Sequence, residues 1–165
     1  IPELSVIRHF GYINITTVIF IVLAIISWIL LSYRKEGRNL FAIGGNKEVA
    51  RLSGINVKVT TVMVYTISGF LSGLAGLLMM ARLNAGVPQA GFTYELDVIA
   101  AVVIGGASLN GGVGSIPQTI VGVFIIGVLR NGLNLMGFSP FVQGMVIGGV
   151  IVFAVALDTL KTKER

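Results

Sequence analysis

The chain has 165 residues, 55% of them hydrophobic and 12% charged, with no cysteine and a formal net charge of +5. Soluble domains carry about 25% charged residues, so this composition, with a mean hydropathy of +0.91, points to a bilayer as solvent. The missing cysteines exclude a disulfide framework, a thiolate metal site and a cysteine nucleophile. Arg34, Lys35, Arg38, Lys47, Arg51 and Lys58 cluster in one loop, and Lys161, Lys163 and Arg165 close the chain. Basic residues grouped beside apolar runs set membrane orientation; they do not form a face that follows nucleic-acid phosphates. The chain opens on Ile1 with neither Met nor a basic n-region, and so reads as the interior or C-terminal part of a longer protein.

Residues 15–32, ITTVIFIVLAIISWILLS, carry no charge. At 1.5 Å per residue they span about 27 Å, close to a hydrocarbon core, and Trp28 and Tyr33 suit an interface belt. Residues 33–58 form a polar, basic loop. A second uncharged stretch, 59–80, has a ridge of Gly69, Gly73 and Gly76 with Ser68 and Ser72, which predicts close helix–helix contact. Residues 81–94 read as a loop, and 98–109, VIAAVVIGGASL, as a segment of about 18 Å, too short to cross. With NGGVGS behind it, that segment has the pattern of a re-entrant or broken helix beside a cavity. Residues 116–129 resume the apolar pattern with Pro117 in a first turn, and 141–157 make a last crossing with Gly144, Gly148 and Gly149. Asp158 and the basic tail are expected to end it.

The expected fold is all-α: a polytopic transmembrane helix bundle of about five membrane segments, one of them short and Gly-broken or re-entrant, plus a short cytoplasmic helix. The whole chain, 1–165, reads as one membrane domain with loop 33–58 inside it. The positive-inside rule puts that loop and the C-terminal tail in the cytoplasm. Counting crossings between them gives an even number only if the short segment counts as one. Residues 1–12 and 81–94 then lie outside.

Enzyme constellations are missing. His9 is the only histidine, which excludes a His-based triad or multi-His metal site within the chain. Glu95 and Asp97 read as loop or helix-start residues, Asp97 suiting an N-cap. GASLNGG, residues 106–112, has the glycine spacing of a phosphate loop, but Gly112 stands where the lysine is needed and no Ser or Thr follows. The chain should not hydrolyse ATP itself, and no cofactor is implied. The sequon at Asn14 abuts an apolar span and reads as chance. The membrane segments hold neutral polar groups, among them Gln118, Thr119, Asn131, Asn134 and Gln143, with Arg130 at a helix end. Carriers coupled to protons need ionisable relays inside the bilayer; neutral groups suit an uncharged polar solute, or simply bond between helices.

The polar segment AIGGNKEVARLSGI, residues 42–55, lies between apolar runs. Asn46 suits an N-cap, Glu48 a first turn and Gly54 a C′ terminator. Val49, Leu52 and Ile55 give the short helix an apolar edge. Two or three turns are not stable alone in water, so this helix must dock on the chain's own membrane ends or on a cytoplasmic partner.

GRNLFAIGGNKEVARLSGINV, residues 37–57, resembles the cytoplasmic loop of bacterial ATP-binding-cassette (ABC) transporter permeases of the ribose, xylose and galactose type. Residues 94–115, YELDVIAAVVIGGASLNGGVGS, resemble that family's glycine-rich segment, and 127–143, GVLRNGLNLMGFSPFVQ, its next helix and turn. The resemblance implies a multi-pass permease subunit of the bacterial inner membrane importing a monosaccharide such as ribose. It implies a second permease copy, cytoplasmic ABC ATPase subunits and a periplasmic or extracellular sugar-binding protein as partners, membrane lipid around it and no nucleic acid. In such permeases a helix with an E-A-A-x-x-x-G-like pattern docks in a cleft on the ATPase. Glu48, Ala50 and Gly54 match, with Val49 in place of the middle alanine; Gly45, Asn46 and Arg51 complete the expected coupling set. Gly105, Gly106, Asn110, Asn131 and Asn134 are the pathway candidates. Two alternatives stay open: an ABC permease for branched-chain amino acids, nucleosides or a signalling molecule, and, from another class, an ion-coupled secondary carrier or channel gated by the Gly-broken segment. Family permeases are about twice this length, so the resemblance covers a C-terminal half.

Overall fold

The computed structural model describes residues 8–9, 13–89 and 91–163. The chain forms two compact units, Ile1–Asn39 with Ala50–Phe92, and Leu40–Val49 with Thr93–Arg165. Among the described residues there are seven helices, and the all-α membrane-bundle class holds; the one sheet is a two-residue hairpin, β1 (Arg8–His9) on β2 (Ile13–Asn14), with Arg8 opposite Asn14 and His9 opposite Ile13.

In the first unit, α1 (Ile15–Tyr33) starts where the Asn14 side chain accepts the Thr16 N–H at 3.1 Å. Nothing in its sequence interrupts it until Arg34, whose extended backbone ends the helix. Trp28 and Tyr33 meet edge to face at 5.6 Å, at the end expected for an interface belt. α2 (Lys35–Gly45) follows at once. Its corner with α1 needs Gly37, because a Cβ there would collide with the Leu31 carbonyl and lie 2.8 Å from the Leu30 oxygen. α4 (Val57–Leu83) follows α3, described below. Asn56 caps it by accepting from Val59 N–H at 3.2 Å, and it runs beyond the expected 59–80 at both ends until Asn84 turns left-handed at φ +53.

The expected ridge of Gly69, Gly73 and Gly76 makes no close contact among the described residues: a Cβ at each would meet nothing within 4 Å. The same is true of Gly144, Gly148 and Gly149. Spacing alone found small residues, but not the places where backbones touch.

The second unit holds α5 (Tyr94–Ile104), α6 (Ile116–Leu135) and α7 (Pro140–Lys163). Its core is Ala100 and Ala101 of α5, Ile126 of α6 and Ile147 of α7, flanked by Ile104, Leu129 and Ile151. Two alanines let α6 approach closely, and Gly122 completes the approach. A Cβ on Gly122 would collide with the Ala101 carbonyl oxygen and lie 3.0 Å from Gly105 N. Pro117 occupies the first turn of α6 as expected. Gly137, at φ +75, ends α6, with its N–H donating to Asn134 O and Phe138 N–H to Leu133 O, the paired bonds of a Schellman stop. Gln143 then donates to Phe138 O at 2.9 Å, satisfying the turn into α7.

Three expectations need correction. The short segment is a helix of 11 residues at Tyr94–Ile104, four residues earlier than expected; at about 16 Å it still cannot cross alone. Asp97 is not its cap. Thr93 holds that position in a left-handed conformation, φ +72, and makes no side-chain cap bond, while Asp97 is paired elsewhere. Finally, α7 does not stop at Asp158 but continues to Lys163. Among the described residues three helices, Ile15–Tyr33, Val57–Leu83 and Ile116–Leu135, are long and apolar enough to cross a membrane, and Pro140–Ala156 adds a shorter apolar stretch. Residues 1–7 and Arg165 lie outside the described residues, as do the side chains of Lys161 and Lys163.

Candidate functional site

The polar segment is two helices joined by one residue. α2 ends on Gly44 and Gly45, and Asn46 N–H donates back to Ala42 O at 3.1 Å. The Asn46 side-chain oxygen then accepts from Glu48 N–H at 3.0 Å and Val49 N–H at 3.1 Å, which starts α3 (Lys47–Leu52). Asn46 therefore closes one helix and caps the next. Glu48 in the first turn and Arg51 in the last both complement the helix dipole. Gly54, at φ +81, donates to Arg51 O at 3.0 Å, and Ile55 N–H donates to Ala50 O at 3.1 Å. That is again a Schellman stop, and only glycine takes its φ without strain.

α3 has two faces. Ala50 is 2% exposed and turns inward, whereas Leu52 is 84% and Val49 57% exposed. Expected from the sequence were both caps and the apolar edge; α2 was not, because glycines near its end and mixed polarity mask its period. Leu52 is left almost wholly exposed on a helix of six residues, which has too few turns to be stable by itself.

Within the second unit, the end of α2 lies directly on the glycine loop between α5 and α6. A Cβ on Gly44 would fall 2.5 Å from Gly112 N, and one on Gly111 would fall 2.6 Å from Gly44 O. A Cβ on Gly112 would sit 3.1 Å from Gly45 Cα. Gly111 and Gly112 have φ of +89 and +76, so glycine is required there for conformation as well as for space. The loop is tied to itself by Ala107 N–H to Val102 O, Ser108 N–H to Val113 O and Gly111 N–H to Ser108 O, each 3.1 Å. At its start, Gly105 is buried against α6: a Cβ there would lie 2.6 Å from Gln118 O and 2.8 Å from Thr119 Cα.

These contacts sort the pathway candidates into two groups. Gly105, Gly106 and Asn110 belong to the glycine loop after α5, whose Gly111 and Gly112 meet Gly44 and Gly45. Gly105 is a packing residue there, while Gly106 and Asn110 are exposed. Asn131 and Asn134 lie exposed near the other end of α6, about 22 and about 27 Å along the helix from Ile116. The structure thus brings Gly45 of the expected coupling set beside the loop that carries Asn110, and both lie at the opposite end of α6 from the two α6 asparagines.

One cluster was missed from the sequence. Arg130 of α6 forms an ion pair with Asp97 of α5 through Nη1, donates through Nη2 to Thr93 Oγ1 at 3.3 Å, and lies 5.1 Å over the Tyr94 ring. The pair is partly buried, at 31% and 15% side-chain exposure. The signal available was YELD and LRNG falling at the same side in the crossing count.

The family model described as "Branched-chain amino acid transport system / permease component" matches residues 2–155. The chain belongs to this permease family. This permease chain is 48% identical over 154 residues to the ribose import permease protein RbsC of Bacillus subtilis, covering 93% of the chain and 48% of that protein. It is 44% identical over 138 residues to the galactose/methyl galactoside import permease protein MglC of Salmonella typhimurium, covering 84% and 41%. With the xylose transport system permease protein XylH of Haemophilus influenzae it shares 47% over 143 residues, covering 87% and 38%. The chain spans about half the length, or less, of the curated relatives it matches. No solved structure matches it. Family and apolar helices together make it a multi-pass membrane protein.

Proposed function

We propose that the chain is the membrane-spanning part of an ABC importer permease that carries a monosaccharide such as ribose across the bacterial inner membrane. The observation that carries this reading is α3: a short helix, closed at both ends by Asn46 and Gly54, that presents Leu52 to solvent between apolar spans. Such a helix is built to enter a partner, and its edge suits a cleft on an ATPase subunit. Gly45, Asn46, Glu48, Ala50, Arg51 and Gly54 form the coupling set on this reading. ATP hydrolysis belongs to that separate subunit, a binding protein delivers the sugar from outside, and a second permease copy completes the pathway. The basic cluster supports a cytoplasmic position for residues 33–58, and the tail's lysines and arginine support the same side for the C-terminus. Asn110, Asn131 and Asn134 are the pathway residues retained, since each is exposed and neutral.

The sugar class is supported by relatives named for ribose, galactose and xylose. A second reading, a branched-chain amino acid as solute, is favoured by the family's own description. The test is uptake by vesicles containing the intact permease, its ATPase and a binding protein, offered pentoses, hexoses and amino acids. ATP-dependent uptake of a monosaccharide is expected; uptake of leucine alone moves the assignment to the second reading. Glu48→Arg and Leu52→Asp should each abolish ATP-driven uptake while membrane insertion is unchanged, and normal uptake in both would sink the coupling role.

A further inference from the structure

We propose that the backbone contact of Gly44 and Gly45 with Gly111 and Gly112 is a rigid link through which movement of the coupling helix reaches α5 and α6, Gly44 and Gly111 being its positioning residues. The inference rests on the coupling role of α3. It departs from the simplest expectation, in which α3 moves only the spans joined to it in sequence.

Four observations carry it. Residues Leu40–Val49, which include the capping Asn46 and the first turn of α3, group with Thr93–Arg165, although they are far from them in sequence. The contact itself is backbone on backbone, with no side chain between that could change rotamer and absorb a displacement. Beyond the contact, the loop's own hydrogen bonds at Ala107, Ser108 and Gly111 hold its shape. The contacts then continue in the same manner: Gly105 lies on Gln118 and Thr119, and Gly122 lies on Ala101 and Gly105. A close-packed series of this kind transmits a displacement where a looser one would relax it. At the far end, Arg130 fastens α6 to Asp97 and Thr93 at the start of α5. A push at Asn46 would therefore move α5 and α6 as one body.

Contiguity becomes coupling only if these parts act together, and substitutions at the contact test that in the intact permease, assembled with its ATPase and binding protein. Gly111→Ala puts a Cβ 2.6 Å from Gly44 O, and Gly44→Val drives a side chain into Gly112, whose backbone N lies 2.5 Å from a Cβ at residue 44. Gly127→Ala, where a Cβ meets nothing within 4 Å, is the control on α6 and should transport as the parent does. In both contact variants the complex is expected to assemble and hydrolyse ATP, with uptake per ATP reduced about 5-fold or more, the lower end of what a coupling free energy carries. Unchanged uptake per ATP in both, or an equal loss in Gly127→Ala, overturns the link. Parent permease without ATP-driven uptake would instead sink the coupling reading on which the link depends.

Discussion

Gly122→Ala and Gly127→Ala are the same substitution five residues apart on α6, and the structure assigns them opposite effects. At Gly122 the new Cβ collides with the Ala101 carbonyl oxygen and approaches the Ala101 carbonyl carbon to 2.9 Å and Gly105 N to 3.0 Å. All three are backbone atoms of α5 or its end, so no rotamer change can clear them. Overpacking costs about 1–3 kcal/mol, and an immovable partner puts this site near the top of that range. Alanine returns about 1 kcal/mol of helix propensity over glycine, leaving a net loss of about 2 kcal/mol. At Gly127 nothing lies within 4 Å, so only the propensity gain of about 1 kcal/mol acts. The shift per kcal/mol falls with chain length, from roughly 2–4 °C at 150–250 residues, so in the intact permease Gly122→Ala should melt a few degrees lower and Gly127→Ala slightly higher than the parent. Thermal unfolding of the detergent-solubilised intact permease, followed by tryptophan fluorescence or aggregation onset, reads both. Equal melting of the Gly122→Ala variant and the parent would refute the assignment of Gly122 as the point of closest approach.

Asn46→Ala removes the acceptor of two N–H groups and should weaken α3 by about 1 kcal/mol, read as faster hydrogen exchange over residues 47–52. Gly54→Ala forces a side chain into a left-handed turn at φ +81, costing about 1–2 kcal/mol, with the same exchange signature and lower uptake. Arg130→Met leaves a partly buried Asp97 without its cation. Between the small value of exposed pairs and the larger value of buried ones, a loss of about 1–3 kcal/mol follows, and Asp97→Asn added to it should recover most of the lost thermal stability. Gly37→Ala should distort the corner between α1 and α2, because its Cβ strikes the Leu31 carbonyl; increased protease cleavage near Arg34 and Arg38 checks it.

Much of the fold was legible because lipid leaves the chain few options. Long uncharged runs must satisfy their backbone internally and so become helices, which fixed α1, α4 and α6 to within a few residues. The caps of α3 were readable because Asn46 and Gly54 act locally, through their own side chain or their own φ. What sequence could not give was the partner of each glycine. Gly69, Gly73 and Gly76 have the spacing of a packing ridge and touch nothing among the described residues, while Gly44 and Gly111, with no such spacing, meet backbone to backbone. Periodicity reports which face a residue occupies; contact depends on which element arrives there. Asp97 was misread for the same reason. Its type and place suited a local cap, but its partner is 33 residues away on α6, and a long-range ion pair leaves no local pattern.

That ion pair bears on how transport would be driven. A carrier coupled to protons needs a titratable group in the membrane segments that can change its charge during the cycle. Asp97 is committed to Arg130, and Arg130 is committed in turn to Thr93 and to the Tyr94 ring, so both charges of the pair are engaged and cancel. The remaining polar groups of α6 are neutral: Thr119 donates to Ser115 O at 2.9 Å within its own helix, and Asn131 and Asn134 are amides. Glu95 in the first turn of α5 is the further charge of these two helices, and the α6 amides suit hydrogen bonding to a solute without charge. On the proposed reading the energy enters at α3, a short helix that exposes an apolar edge outside the long spans. On that reading the amides of α6 and the exposed Leu52 serve two tasks: solute handling in the membrane segments, and docking of the separate subunit that does the work.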